Sequence, residues 1–171
     1  MQNKDILINI IRFFGLLLLQ VTLLNHINFL GYVNPYLYLV FILIFPFTGN
    51  KGLLIFLSFL LGLSIDIFSD SGGVHAAASV FVAYIRPLIL KFSFGVSYEY
   101  NMVKLNKVPI AERIVYISII VVLHHIILFT MEIFSTSHIL LILKSTLFSS
   151  IFSIILIMCS LLLFSNKTAS Y

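Results

Sequence analysis

The chain has 171 residues and a formal net charge of +4, and 61% of its residues are hydrophobic while only 9% are charged. Soluble domains carry about 25% charged residues, so this chain has too few polar side chains to cover a soluble surface. It is predicted to be one domain of an integral membrane protein. The lysines stand at the ends of apolar segments and form no basic run, which argues against nucleic-acid binding.

Apolar segments recur along the whole chain, and a helix needs about 20 such residues to cross the hydrocarbon core of a bilayer. We therefore predict an all-α integral membrane protein with six transmembrane helices. They form a single transmembrane domain over residues 1–171, with no soluble domain left over. The predicted spans are 8–24, 36–48, 53–68, 74–90, 114–133 and 139–164.

The first two spans each have an unusual feature. The first follows Lys4 and includes Arg12, as in a signal peptide, but no small-x-small cleavage site comes after it. We expect it to remain as an uncleaved helix. The second has only about a dozen apolar residues between Pro35 and the turn at Pro46, so we expect it to be thin, tilted or kinked.

The third span ends in an acidic residue. Gly62 and Asp66 are four residues apart, which places them on one face of a helix. Asp66 also lies near the C-terminus of that helix, where the helix dipole disfavours an anion. The carboxylate must therefore find a partner or become neutral. Two interpretations stay open: a structural lock between helices, or a role in binding or transport.

The fourth span begins after a polar turn. Asp70 and Ser71 directly precede it and are predicted to cap its N-terminus, while Gly72 and Gly73 permit a sharp reversal. Small residues allow close approach of helices in lipid, so we expect the small face to pack within this protein, or alternatively against another membrane protein. That face consists of Gly72, Ala76, Ser79 and Ala83, with Ala77 and Ala78 beside it.

Polar residues also occur in the last two spans. His124 and His125 are adjacent and point about 100° apart on a helix, whereas zinc sites use three or four ligands at supporting spacings. We expect no metal or cofactor, and we predict that His75, His124 and Glu132 bridge helices near the outer surface. Cys159 is expected to be a small apolar group. No nucleophile–base pattern, phosphate loop or paired carboxylates appear, so no enzyme activity is expected.

The basic residues predict the orientation, because cytoplasmic segments carry most Lys and Arg. With both termini in the cytoplasm, nine of the ten basic residues fall inside and only Lys144 falls outside. The longest inner loop, about residues 91–112, mixes aromatics with lysines. It is either an interfacial belt that sets orientation or a docking surface for a partner. The inside residues are Lys4, Arg12, Lys51, Arg86, Lys91, Lys104, Lys107, Arg113 and Lys167.

The pattern from Asn34 to Pro87 resembles the MreD family of rod-shape-determining membrane proteins. It combines Asn34-Pro35 before an apolar helix, the Gly62-x-x-x-Asp66 step and a Ser-Asp-Ser-Gly-Gly turn before an alanine-rich helix. The layout agrees over the whole chain, whereas His75, the His124-His125 pair and the inner loop lie outside the family pattern. The structural or interaction candidates are Pro35, Gly62, Asp66, Asp70, Gly73, Ala76 and Ala83.

The resemblance implies a non-enzymatic component of the bacterial cell-wall elongation complex, located in the inner membrane. Such a protein would help to assemble or regulate peptidoglycan synthesis with MreC (a periplasmic coiled-coil protein), the actin-like MreB and the wall synthases. The family also resembles, distantly, the substrate-binding membrane subunits of vitamin uptake transporters. The alternative function is therefore a small-molecule binder that works with a partner ATPase, with Asp66 or the histidines lining an outward-facing pocket.

Overall fold

The computed structural model describes residues 3–27, 29, 31–46, 50–95, 105 and 108–165. Within this part of the chain the secondary structure is helical, apart from one isolated antiparallel bridge between Phe29 and Val33. Short 3-10 turns cover Leu24–His26 and Thr136–His138. The helices are α1 Asn3–Thr22, α2 Leu39–Ile44, α3 Lys51–Ser69, α4 Val74–Phe94, α5 Ile110–Ile133 and α6 Ile139–Ser165.

Five of the described helical segments are long and apolar enough to cross a membrane. They correspond to α1, α3, α4, α5 and α6, and each overlaps one of the predicted spans. The prediction of an all-α chain with several helices long and apolar enough to cross a membrane is therefore confirmed. The five segments are Ile6–His26, Lys51–Ser69, Val74–Phe94, Ile110–Ile133 and Ile139–Leu163.

The second predicted span differs from the others. Its helix, α2, has only six residues, and the chain before it is irregular. The side chains of Leu39 through Leu43 are all buried, so α2 is part of the core and has no lipid-facing side over these residues. A sixth crossing in this region stays a prediction.

Neighbouring helices pack in chain order. The most extensive contact joins α3 and α4, and further contacts join α4 with α5, α5 with α6 and α1 with α3. We call the end of the bundle where α3 meets α4 the Asp66 end, and the end where α2 finishes the Arg86 end. Large apolar side chains such as Phe14, Tyr84 and Leu147 are exposed on the outer surface, as expected for contact with lipid.

Close packing of α3 against α4 depends on Gly62. A Cβ atom at this position would lie 2.6 Å from both the Ala76 Cα atom and the His75 carbonyl oxygen, closer than real Cβ contacts. Ala76, Ser79 and Ala83 are buried, which confirms that this part of the small face packs within the chain. Gly72 is exposed in the turn and takes no part in the packing.

Candidate functional site

Asp66 caps the helix that follows it. Its carboxylate accepts hydrogen bonds from the backbone N–H groups of His75 (to Oδ1, 3.0 Å) and Ala76 (to Oδ2, 2.9 Å). These are the second and third residues of α4, and their N–H groups have no partner inside that helix. The anion also lies at the positive end of the α4 dipole, which offsets its unfavourable position at the C-terminus of α3.

Two side chains complete the hydrogen bonding of the Asp66 carboxylate. The Ser71 hydroxyl donates to Oδ1 at 2.6 Å, and the ring nitrogen Nδ1 of His75 lies 2.9 Å from the same oxygen. Asp66 therefore meets four donors while its side chain is only 4% exposed. Hydrogen bonds of this kind compensate the loss of water around a buried carboxylate. The structure thus favours the structural lock over a free binding group.

Asp70 does not cap α4, and this prediction is wrong. The N-cap residue of α4 is Gly73, with a φ of 94° and no side-chain hydrogen bond. Asp70 is instead the C-cap of α3 in the left-handed conformation, with its N–H donating to the Asp66 carbonyl oxygen. Asp70 and Gly72 both have positive φ, so the turn reverses within a few residues. The reversal places the N-terminus of α4 beside Asp66. Asp66 therefore caps α4, the role that was predicted for Asp70.

The irregular segment before α2 is held by side chains from other helices. Gln20 of α1 is fully buried, and its Oε1 accepts from the backbone N–H of Leu37 at 2.9 Å. Its Nε2 donates to the Pro35 carbonyl oxygen at 3.0 Å and to Asn25 Oδ1 at 2.8 Å. Irregular backbone at membrane depth requires partners of this kind because lipid offers none. The candidate residue Pro35 is thus held to α1 by the hydrogen bond from Gln20.

Helix α6 supplies a second set of partners to the same segment. The Ser149 hydroxyl accepts from the N–H of Asn34 at 3.1 Å, and the Ser153 hydroxyl accepts from the N–H of Tyr36 at 2.9 Å. Ser153 also lies 3.3 Å from Nε2 of His125. The segment is therefore connected to α6 although more than a hundred residues separate them in sequence.

The buried histidines of α5 serve as hydrogen-bonding groups in the core. His124 Nε2 lies 2.7 Å from the Tyr38 hydroxyl, and His125 Nδ1 lies 2.7 Å from the Val121 carbonyl oxygen. The prediction that polar groups bridge helices is confirmed for His75 and His124; Glu132 makes no such bond within the described residues. No group of three or more potential metal-ligating side chains occurs in the described part of the chain.

Arg86 has a role that the sequence reasoning missed. Its side chain is 3% exposed, and one terminal guanidinium nitrogen donates to the carbonyl oxygens of Phe45 (2.6 Å) and Leu43 (3.3 Å). Its Nε donates to the Tyr116 hydroxyl at 2.8 Å. The two carbonyls belong to the last turn and C-cap of α2, so the guanidinium caps the negative end of that helix.

A cavity of about 270 Å³ opens at the Asp66 end, and most of its lining is polar. It lies where the ends of α1, α3 and α5 meet the start of α4. Asp66 and the His124-His125 pair do not line it, whereas His26 and His75 do, so the expectation that histidines line a pocket agrees with this cavity only for these two residues. The lining consists of Val21, Asn25, His26, Asn34, Tyr36, Phe68, Ser69, Ser71, His75 and Glu132.

The remaining sequence predictions have separate outcomes. Cys159 is exposed on α6, in agreement with a small group on the lipid-facing surface. Half of the predicted inner loop, including Lys104 and Lys107, lies outside the described residues. A signal for Gln20 and Arg86 was present in the sequence, since each is a polar residue inside or next to an apolar run.

Comparison of the chain with protein-family models, with curated proteins and with solved structures finds no match.

Proposed function

We propose that this protein is a non-enzymatic inner-membrane component of the bacterial cell-wall elongation complex, with both termini in the cytoplasm and the Asp66 end toward the periplasm. The proposal rests on the resemblance of residues 34–87 to the MreD family. In that role it helps to assemble or regulate peptidoglycan synthesis together with an MreC-like protein, MreB and the wall synthases.

The observation that carries the proposal is the way in which the motif residues act together. Gly62 permits close contact of α3 with α4, and Asp66 then caps α4 across the same contact. A motif used in this way maintains the shape of a helix hairpin rather than performing chemistry. The long helices of the described chain expose apolar surface, which supports a function exerted through helix faces and short connections.

Depletion of the protein in a rod-shaped host tests the proposal. We expect cells to become round as the protein is lost, because insertion of wall material along the cylinder would no longer be organised. A plasmid-borne wild-type copy should restore the rods. Rods that keep their width and length after complete depletion, as checked by immunoblot, would contradict the proposal.

The cavity at the Asp66 end supports a second candidate function, the substrate-binding membrane subunit of a small-molecule uptake transporter. A polar cavity of about 270 Å³ lies slightly below the usual size range of small-molecule sites, about 300–1,000 Å³. Isolation in mild detergent separates the two functions. A periplasmic coiled-coil protein that co-purifies supports the elongation complex, whereas an ATPase that co-purifies supports the transporter.

A further inference from the structure

We propose that a groove between α6 and the turn closed by the Phe29–Val33 bridge binds one phospholipid with a net negative headgroup. An acyl chain of this lipid lies along α6, and its phosphate meets the ammonium group of Lys144. The site is independent of the functions proposed above, because it depends only on the surface of α6 and of that turn.

The groove is separate from the cavity at the Asp66 end and shares no lining residue with it. Its volume of about 370 Å³ falls within the usual range of small-molecule sites, about 300–1,000 Å³. It opens toward lipid, since Phe148, Ile151 and Ile155 are each between 44% and 54% exposed. All six side chains that line it are apolar: Phe29, Val33, Phe148, Ile151, Phe152 and Ile155.

Hydrogen bonds of the protein hold the two walls of the groove in place. The backbone groups of Phe29 and Val33 exchange two hydrogen bonds of 3.0 Å, and the Val33 side chain is only 5% exposed. The chain directly after this turn is bound to α6 by the hydroxyls of Ser149 and Ser153. The groove therefore has a fixed shape for an acyl chain, unlike the exposed side of a single helix.

Lys144 lies on the same face of α6 as the groove. The spacings from Lys144 to Phe148, Ile151 and Ile155 are those of one helix face, and the groove begins about 6 Å along the helix from Lys144. The apolar stretch Ile139–Leu163 has 25 residues, or about 37 Å, which exceeds the hydrocarbon core of about 30 Å. Because a lysine near a helix end extends to the interface, its ammonium group reaches the headgroups while the groove lies in the core.

The charge of the two walls favours an anionic headgroup. Lys144 is exposed and forms no hydrogen bond or ion pair with the described residues. It is also the single charged residue of the segments 27–36 and 139–165. The nearby acidic residue of α5, Glu132, lines the other cavity. A lipid phosphate thus finds a counter-charge, whereas the ammonium group of a zwitterionic headgroup finds no carboxylate on these walls.

Tyr32 adds a second polar side chain at the headgroup end of the groove. Its partly exposed ring contacts Phe148 edge to face, with the ring centroids 6.0 Å apart, and Phe148 is the lining residue of α6 nearest to Lys144. Tyrosine is enriched at the level of the headgroups because its ring is apolar and its hydroxyl is polar. A charge, an amphipathic ring and an apolar groove therefore follow one another in the order of a phospholipid's phosphate, glycerol and acyl chain.

A tryptophan reporter tests the site, because the protein contains no tryptophan of its own. Phe148→Trp places the reporter in the groove. Phe81→Trp on α4 is the matched control, since Phe81 is 40% exposed against 44% for Phe148 and lies outside the groove. The full-length variants are reconstituted in phosphatidylcholine vesicles in which a minority of the lipids, either phosphatidylglycerol or phosphatidylcholine, carries brominated chains. Bromine quenches tryptophan fluorescence at short range, so quenching measures the association of each lipid with the reporter.

We expect phosphatidylglycerol to associate with the Phe148→Trp reporter roughly fivefold more strongly than phosphatidylcholine. This ratio corresponds to about 1 kcal/mol for one lysine near an anionic membrane surface. The two lipids should associate equally with the Phe81→Trp reporter. Lys144→Gln combined with Phe148→Trp should abolish the preference, and Lys144→Arg should keep it because the positive charge is retained.

Equal association of the two lipids with the Phe148→Trp reporter, or a preference that survives Lys144→Gln, would overturn the proposal. The same preference at Phe81→Trp would show a general attraction of the protein for anionic lipid, and the proposed site would be wrong. Weak quenching by both lipids in the groove would also overturn it, since a second copy or another helix would then occupy the groove. If Phe148→Trp does not fold, Ile155→Trp makes the same comparison from the other end of the groove.

Discussion

Two charged residues in the apolar zone, Asp66 and Arg86, perform the same task with opposite signs. Asp66 lies at the end of α3 and caps the N-terminus of α4, and Arg86 lies on α4 and caps the C-terminus of α2. Each charge lies at the helix end where the partial charge of the helix dipole has the opposite sign. The comparison shows that each of these two buried charges links two helices through backbone groups, which is a structural role.

The two caps differ in their surroundings. Asp66 adjoins the polar cavity through Ser71 and His75, both of which line it. The described partners of Arg86 are carbonyl groups of α2 and the fully buried hydroxyl of Tyr116. Asp66 is also placed by the contact of Gly62 with α4, and no described glycine makes a comparable contact beside Arg86. The Asp66 end should therefore be sensitive to a change in helix spacing, whereas the Arg86 end should depend on single polar groups alone.

The largest expected effect follows from replacing Gly62. Gly62→Leu inserts a side chain where even a Cβ atom would lie 2.6 Å from the Ala76 backbone. Helices α3 and α4 would have to separate, and Asp66 would lose its contact with the N-terminus of α4. We expect little or no monodisperse protein in detergent, measured by size-exclusion chromatography of a fluorescent fusion.

Gly15→Leu is the control for this change, because a Cβ atom at Gly15 would meet no atom within 4 Å. It should give the wild-type elution profile and yield. Recovery of Gly62→Leu at the level of Gly15→Leu would show that the close contact of α3 with α4 is not required for folding.

Much of the Asp66 end could be predicted from the sequence, because its signals are local. The spacing of Gly62 and Asp66, the glycine turn and the small residues of α4 all lie within about 25 positions. The error concerned Asp70, since capping preference assigns the role to the nearest polar residue. The left-handed turn at Asp70 instead places Asp66 at the N-terminus of α4. Residue types alone do not predict this backbone geometry.

The interrupted second span could not be predicted to the same extent. Its short apolar run indicated an irregular helix, but its partners are distant in sequence: Gln20 on α1, Ser149 and Ser153 on α6, and Arg86 on α4. A serine in an apolar helix satisfies its own backbone or a neighbour equally well. Arg86 was understood as an orientation charge, because positive residues at span ends usually have that role.

The second prediction compares two aspartates at the same end of the bundle. Asp66→Ala removes the acceptor of four donors, two of which are backbone groups of α4. We expect the free energy of unfolding to fall by about 2–3 kcal/mol, because two backbone N–H groups at the N-terminus of α4 lose their cap. Thermal unfolding in detergent measures the change.

Asp70→Asn supplies the reference for Asp66→Ala. The Asp70 side chain is exposed, and asparagine tolerates the left-handed conformation of this residue. A change within about 0.5 kcal/mol is expected. An equal loss of stability in both variants would contradict the cap formed by Asp66.

The smallest effect is expected at the Arg86 end, where one hydroxyl is removed. Tyr116→Phe takes away the group that accepts from Arg86 Nε at 2.8 Å and donates to the Leu43 carbonyl oxygen at 3.3 Å. Tyr116 is fully buried, so we expect a loss of about 1–2 kcal/mol in the free energy of unfolding. Tyr84→Phe makes the same chemical change at a side chain that is 71% exposed, and it should leave the unfolding temperature unaltered. If the two variants unfold at the same temperature, the Arg86 cap does not depend on Tyr116, and the dependence of this end on single polar groups is wrong.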